Sequence, residues 1–95
     1  MKEIINQMYE IQRKANEHQL NIFERNFERL FFEFEKLGYR IEIPIHQPFH
    51  DEDLSIQATI VSHQLNLITK VIKPTIYKLE NDEFTLLQKG IVIVE

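Results

Sequence analysis

The first 37 residues contain neither glycine nor proline, whereas all three prolines and both glycines lie at or after Gly38. Glycine and proline are the residues that most disfavour a helix interior, so their absence predicts a helical segment. Most β-branched residues follow Gly38, which predicts a run of strands. Helices followed by strands, without alternation, indicate an α+β fold. We expect a helical dimerisation segment over residues 1–38 and a small β-domain over residues 39–95.

Two apolar seams of different phase divide the helical segment. The spacings of three and four residues are typical of one helix face. The first seam consists of Ile4, Met8, Ile11 and Ala15, and the second of Leu20, Phe23, Phe27, Leu30, Phe34 and Leu37. The phase slips between Ala15 and Leu20, which requires a stutter, a kink or a chain break. We favour a helical hairpin of two helices, about 2–17 and 21–37, over one continuous helix.

Local signals at the helix ends support this division. Asn21, with Glu24 three residues later, is typical of an N-cap with a capping box. Gly38 suits the first position after a helix that ends near Leu37, since that position often has a left-handed conformation.

The second helix carries five of the seven phenylalanines. Phe31 and Phe32 project about 100° apart around a helix, so one narrow face cannot hold both. Either Phe32 is half-exposed, or two faces are covered, one by the β-domain and one by a second subunit. We favour two covered faces, because the chain has few other helices to cover them. The homodimer interface would then comprise Ile4, Met8, Ile11, Leu20, Phe23, Phe27, Phe31 and Phe34.

After Gly38 the apolar period changes to two. Apolar and polar residues alternate over 39–45 and 54–60, and further apolar segments lie at 65–72, 76–79, 84–87 and 91–94. The polar residues 80–83 predict a hairpin loop. These signals predict five or six short strands in a small antiparallel sheet or barrel.

Composition argues against several classes of function. The net charge is −4 and the basic residues are scattered, which disfavours nucleic-acid binding. Without cysteine there is no disulfide, thiolate zinc site or cysteine nucleophile. No apolar run approaches the about 20 residues of a membrane span, and no signal sequence is evident, so we expect a cytoplasmic protein.

Only one cluster suggests site chemistry. His46, His50 and Asp51 lie close together in sequence and are possible ligands of a divalent ion. A metal site needs three or four convergent ligands, and no helix or strand period directs these. A solvated acidic loop is the favoured interpretation, with no metal. No glycine-rich phosphate loop or serine nucleophile turn is present, so we expect neither a cofactor nor an enzyme.

Several segments, in order, resemble the GrpE family of nucleotide exchange factors. The resemblance covers about residues 21–95. The similar segments are Phe34-Glu35-Lys36-Leu37-Gly38-Tyr39, Ile43-Pro44, Gln47-Pro48-Phe49, Ile68-Thr69-Lys70-Val71-Ile72-Lys73, Tyr77-Lys78-Leu79 and Ile91-Val92-Ile93-Val94. The chain departs from the family at its hairpin, where Asp82 and Glu83 lie in place of an arginine. The family's long N-terminal stalk is missing or reduced to about residues 2–17.

The resemblance implies a non-catalytic homodimeric co-chaperone. Such a protein binds a DnaK-type chaperone ATPase and promotes ADP release. The positions that match family contacts with the ATPase are Phe49, Ile72 and Val94. The alternative is a homodimeric interaction or adaptor domain of the same fold without exchange activity.

Overall fold

Two helices followed by six short strands form the chain, and the computed structural model describes all 95 residues. The α+β class is therefore confirmed. In chain order the elements are α1 (Lys2–Glu17), α2 (Glu24–Lys36), β1 (Tyr39–Glu42), β2 (Ile56–Ile60), β3 (Ile68–Lys73), β4 (Thr75–Glu80), β5 (Glu83–Gln88) and β6 (Gly90–Val94). Neither helix combines the length and the apolar character that a membrane span requires.

The predicted break between the helices is confirmed. After α1, Gln19 has a left-handed φ of 58°. The Leu20 N–H donates to the Ala15 carbonyl at 2.8 Å, and the Gln19 N–H donates to the Asn16 carbonyl at 3.1 Å. This pair of bonds is a Schellman motif, which satisfies carbonyls at a helix end and turns the chain away.

The ends of α2 agree only in part with the sequence signals. The helix begins at Glu24, and no side chain caps it, so the predicted N-cap role of Asn21 is wrong. The Asn21 backbone carbonyl instead accepts from the Glu24 N–H at 3.3 Å. At the other end, Gly38 follows the helix with a φ of 92°, as predicted.

A long, bent hairpin organises the β part. β4 pairs with β5, and β3 pairs with β6. The hairpin turns at Asn81 and Asp82, whose φ values of 51° and 65° identify a two-residue turn of the I′ kind. This confirms the predicted loop at 80–83. Pro74 and Lys89 separate the two halves, so each arm of the hairpin passes from one sheet to the other.

Each half of the hairpin gains one more strand. The first sheet has the order β1-β4-β5 and is antiparallel. The second has the order β2-β6-β3, in which β2 runs parallel to β6. The prediction of a wholly antiparallel β-domain is therefore wrong for the pair of β2 and β6. Period-two alternation identifies a strand and its buried face but not the direction of its neighbour.

Two apolar clusters form the core, and α1 contributes to both. The first contains Ile5, Met8, Ala15, Phe27, Phe34 and Ile76. The second contains Tyr9, Phe49, Ile68, Val71, Val92 and Val94. Neighbouring positions on α1, Met8 and Tyr9, thus pack against different elements. The helices bury their inner faces on the strands instead of forming a separate core.

The bend of the hairpin predicts a site that is sensitive to added volume. A Cβ on Gly90 would lie 2.5 Å from the Thr75 hydroxyl oxygen and 3.3 Å from the Thr75 nitrogen. We expect Gly90→Ala to lower the free energy of unfolding by about 1–3 kcal/mol, the usual cost of overpacking. Urea denaturation measures the effect. Lys89→Ala, at the exposed neighbouring residue, is the control, and equal losses in both variants would contradict this prediction.

Candidate functional site

The helices leave an apolar surface that the chain itself does not cover. Along α2 and its two caps, the exposed residues Phe23, Leu30 and Leu37 recur every seven positions beside the buried Phe27 and Phe34. Phe23 and Leu30 are each 44% exposed, a large fraction for such side chains. Residues seven apart lie nearly on one line along a helix, because seven residues make close to two turns.

A similar stripe lies on α1. Ile4 and Ile11 are seven residues apart and exposed, whereas Met8 and Ala15 of the same seam are buried. We call the exposed residues of α1 and α2 together the helix stripes. They consist of Ile4, Ile11, Phe23, Leu30 and Leu37. Within each helix they keep a seven-residue spacing, and all five are exposed.

The total surface of the chain is large for its mass. A compact monomer of 11.5 kDa exposes about 5,800 Å² by the usual scaling of area with mass. This chain exposes 6964 Å² and is flat, with extents of 38 × 37 × 18 Å. The excess is about 1,200 Å², and an ordinary protein interface takes about 800 Å² from each partner.

The residues predicted for a dimer interface fall into two groups. Ile4, Ile11, Leu20 and Phe23 are exposed. Met8, Phe27 and Phe34 are buried in the first core cluster, and Phe31 is half-buried against it. These four side chains already pack within one chain. The prediction that they lie in the dimer interface is corrected accordingly. The seam correctly predicted an apolar helix face but not which of its members the strands would cover.

The residues that the resemblance assigned to partner contact are mostly inaccessible. Val94 is 0% exposed and Phe49 is 8% exposed, and both belong to the second core cluster. Ile72 is half-buried near the edge of β3. Phe49 and Val94 are therefore core residues, and among the three only Ile72 has accessible surface for a partner.

The candidate metal ligands do not form a site. His46, His50 and Asp51 are exposed loop residues. No group of three or more His, Cys, Asp or Glu side chains converges in the chain. His46 has a positive φ of 66°, and its N–H donates to the Ile68 carbonyl at 2.7 Å, which ties this loop to β3.

Phe32 lies on the solvent side of α2 with 56% of its surface exposed. The Lys36 ammonium lies 5.3 Å from the centroid of its ring. A cation at this distance is attracted to the ring face by about 0.5–1 kcal/mol at an exposed site. Within one chain, then, the side of α2 that carries Phe32 is uncovered.

An outer apolar patch on the first sheet was not predicted. Arg40 stacks against Tyr77 at 5.9 Å and Phe84 at 5.8 Å. Leu79 and Leu86 extend this patch on the face away from the helices, since they pair with Phe84 and Tyr77 respectively. The alternation of apolar and polar residues in β1 predicts that Arg40 points away from the core. The contact of Arg40 with the rings of Tyr77 and Phe84 depends on the strand order, which the sequence does not show.

A groove of about 610 Å³ lies between α1 and the second sheet. Tyr9, on its wall, donates its hydroxyl proton to the Val71 carbonyl at 2.7 Å. Arg13 and Lys70 line the groove together with Glu17 and Glu95, so its cations and carboxylates balance. The groove therefore has no clear preference for an anionic or a cationic ligand.

Burial raises the pKa of the Tyr9 hydroxyl above its ordinary value of 10.0, an effect that the nearby Arg13 partly opposes. Burial acts in this direction because it disfavours the charged tyrosinate. The neutral hydroxyl is also the form that donates to Val71.

Comparison of the chain with protein-family models, with curated proteins and with solved structures finds no match in any of the three.

The Tyr9 bond leads to a stability prediction. Tyr9→Phe leaves the Val71 carbonyl without this donor, and we expect a loss of about 1–3 kcal/mol in the free energy of unfolding. The measurement is urea denaturation at neutral pH. Tyr77→Phe serves as the matched control, because Tyr77 lies on the outer patch, and we expect a change within about 0.5 kcal/mol. Similar losses in the two variants would show that the Tyr9 bond is not the cause.

The pKa of Tyr9 also predicts a dependence on pH. Since its pKa is higher in the folded chain, the stability that it contributes is complete below pH 10.0. That contribution is lost as the pH rises from there through the folded pKa. We expect the stability difference between the wild type and Tyr9→Phe to shrink over this range. Denaturation curves of both proteins at stepped alkaline pH test it; a constant difference would contradict it.

Proposed function

We propose that the protein is a homodimeric, GrpE-like co-chaperone that binds a DnaK-type chaperone ATPase and promotes the release of ADP. The observation that carries the proposal is the pair of helix stripes, since helical pairing is the means of dimerisation that the resemblance implies. The remaining support comes from the segments of residues 21–95 that resemble the family.

Dimerisation through the stripes is physically reasonable. Phe23, Leu30 and Leu37 lie along one side of α2 and its two ends, so a second helix that packs there would cover all three. The stripe on α1 continues the same kind of surface, so two copies would together form a four-helix bundle. The excess surface of about 1,200 Å² is sufficient for an interface of ordinary size.

Several residues behind the resemblance have definite structural roles. Gly38 adopts the left-handed conformation that ends α2 and starts β1. Phe49 anchors the loop after β1 in the second core cluster, and β6, which contains the closing apolar segment, is the central strand of its sheet. These roles give a structural reason for the order of the similar segments, and so support the proposal.

The proposed mechanism needs no reacting side chain. A protein that binds the open state of an ATPase more tightly than its closed state shifts the population toward the open state. ADP then dissociates faster because the open cleft holds it less well. The size of the effect is limited by the difference in affinity between the two states.

One variant tests the dimer. We expect Leu30→Glu to weaken dimerisation by at least about tenfold, because an unpaired carboxylate buried between helices costs more than 1.4 kcal/mol. Arg29→Glu, which places the same carboxylate on the neighbouring exposed position of α2, is the matched control. Sedimentation velocity over a range of concentrations gives the dissociation constants. If both variants dimerise as tightly as the wild type, the stripes are not the interface.

A second measurement tests the exchange activity. The release of a fluorescent ADP from a DnaK-type ATPase of the source organism is followed with and without saturating protein. We expect acceleration by the wild type and by Arg29→Glu, and less acceleration by Leu30→Glu. No acceleration by a correctly dimeric wild type would exclude exchange on that ATPase.

The adaptor alternative has two observations in its favour. Two of the three residues matched to family contacts, Phe49 and Val94, are buried. The acidic Asp82 and Glu83 also replace the hairpin arginine that would anchor an ATPase. A stable dimer that never accelerates ADP release and never co-purifies with an ATPase would favour this alternative.

A further inference from the structure

The outer edge of β5 is unpaired. β5 is the last strand in the order β1-β4-β5, and β4 is its only neighbour. All of its residues except Gln88 are exposed. The strand contains no proline and no lysine, the residues that commonly protect a sheet edge from pairing. Its single charge, Glu83, lies at its first position.

The geometry of the turn determines which backbone groups point outward. In a two-residue hairpin, the residues that flank the turn form a hydrogen-bonded pair, and these pairs alternate along the ladder. Glu83 and Thr85 therefore direct their N–H and C=O groups toward β4, opposite Glu80 and Lys78. Phe84 and Leu86 direct theirs away from β4, toward the free edge.

We propose that β5 pairs antiparallel with β5 of a second copy, which joins the two three-stranded sheets into one sheet of six strands. A twofold axis at Thr85 places Phe84 opposite Leu86 of the second copy. In this register the outward N–H and C=O groups of Phe84 and Leu86 in both copies bond to each other. The register satisfies every outward group of the strand before the bulge at Leu87.

The side chains suit the same register. Phe84 lies beside Leu86 of the second copy on the outer face, and Thr85 faces its own equivalent on the inner face. Aromatic–aliphatic and threonine–threonine pairs are favourable cross-strand neighbours. Asp82 and Glu83 of one copy lie beside the last residues of β5 in the second copy, next to its Lys89. Like charges are therefore not placed opposite each other.

A second copy fits this edge better than an unrelated peptide, because the strand is complementary to itself. A twofold interface needs each residue and its counterpart to be compatible, and the register above meets this need. An ordinary helix interface removes about 800 Å² from each chain and so leaves part of the excess surface uncovered.

The inference goes beyond the proposed function and does not depend on it. The helix stripes and β5 lie on different elements, so both pairings can form at once. Chains paired through both the helices and β5 form a closed tetramer where the two twofold axes cross at right angles, as they do in the common symmetric tetramers. If the helices do not pair, β5 alone gives a dimer.

The test compares Leu86→Lys with Leu79→Lys. The two leucines are 39% and 41% exposed and lie on the same face, but Leu86 is on the free edge and Leu79 on the central strand. For the wild type at high concentration, sedimentation velocity should give about four times the chain mass of 11.5 kDa where the helices also pair, and about twice that mass where only β5 pairs. We expect Leu86→Lys to halve the assembled mass and Leu79→Lys to leave it unchanged. The Phe84 amide should exchange slowly in the wild type and rapidly in Leu86→Lys.

The outcomes separate this inference from the proposed function. The Leu30→Glu variant should have the mass of two chains, and the double variant with Leu86→Lys the mass of one chain. This result supports β5 pairing even if the helices never pair. A wild-type mass that never exceeds two chains, with a Phe84 amide that exchanges equally fast in wild type and Leu86→Lys, overturns it. Equal disruption by Leu79→Lys also overturns it, because the interface would then be the outer face and not the edge.

Discussion

The Ser55 carbonyl joins the two sheets at the bend of the hairpin. It accepts from the Gly90 N–H at 2.9 Å and from the Thr75 hydroxyl at 3.2 Å, so both arms of the hairpin bond to one oxygen. Thr75 is 1% exposed, and the absence of a side chain on Gly90 lets the two arms approach. Because Ser55 directly precedes β2, the junction also fixes the start of this strand at the point where both arms cross between the sheets.

Helix α1 connects the two halves that the bend creates. Met8 packs with Phe27, Phe34 and Ile76 beside the first sheet, and Tyr9 packs with the apolar residues of the second. One helix thereby contributes to both clusters with adjacent side chains. If two copies pair through their helix stripes, α1 would transmit the orientation of the bundle to both sheets.

Local signals in the sequence predicted the local features well. The slip of phase after Ala15, Gly38 after the second helix and the polar turn at 80–83 each depend on a few neighbouring residues, and each is present in the structure. The prediction of an N-cap at Asn21 was wrong, because its backbone carbonyl, not its side chain, accepts the hydrogen bond from the first turn of α2. Features that depend on residues distant in sequence were harder to predict. The parallel pairing of β2 with β6 is one such feature.

The candidate site shows the same limit. The seam that contains Leu30 and Phe34 identified an apolar face, but Phe34 is buried in a cluster that includes the distant residues Ile5 and Ile76, whereas Leu30 stays exposed. Similarly, Val94 lies in a wholly apolar strand, β6, and the burial of its residues depends on β2 and β3 at its sides. The helices and strands of this short chain thus bury their inner faces in the two core clusters. The apolar residues that remain exposed lie on the outer faces of the helices and of the first sheet, so a partner would find apolar surface there.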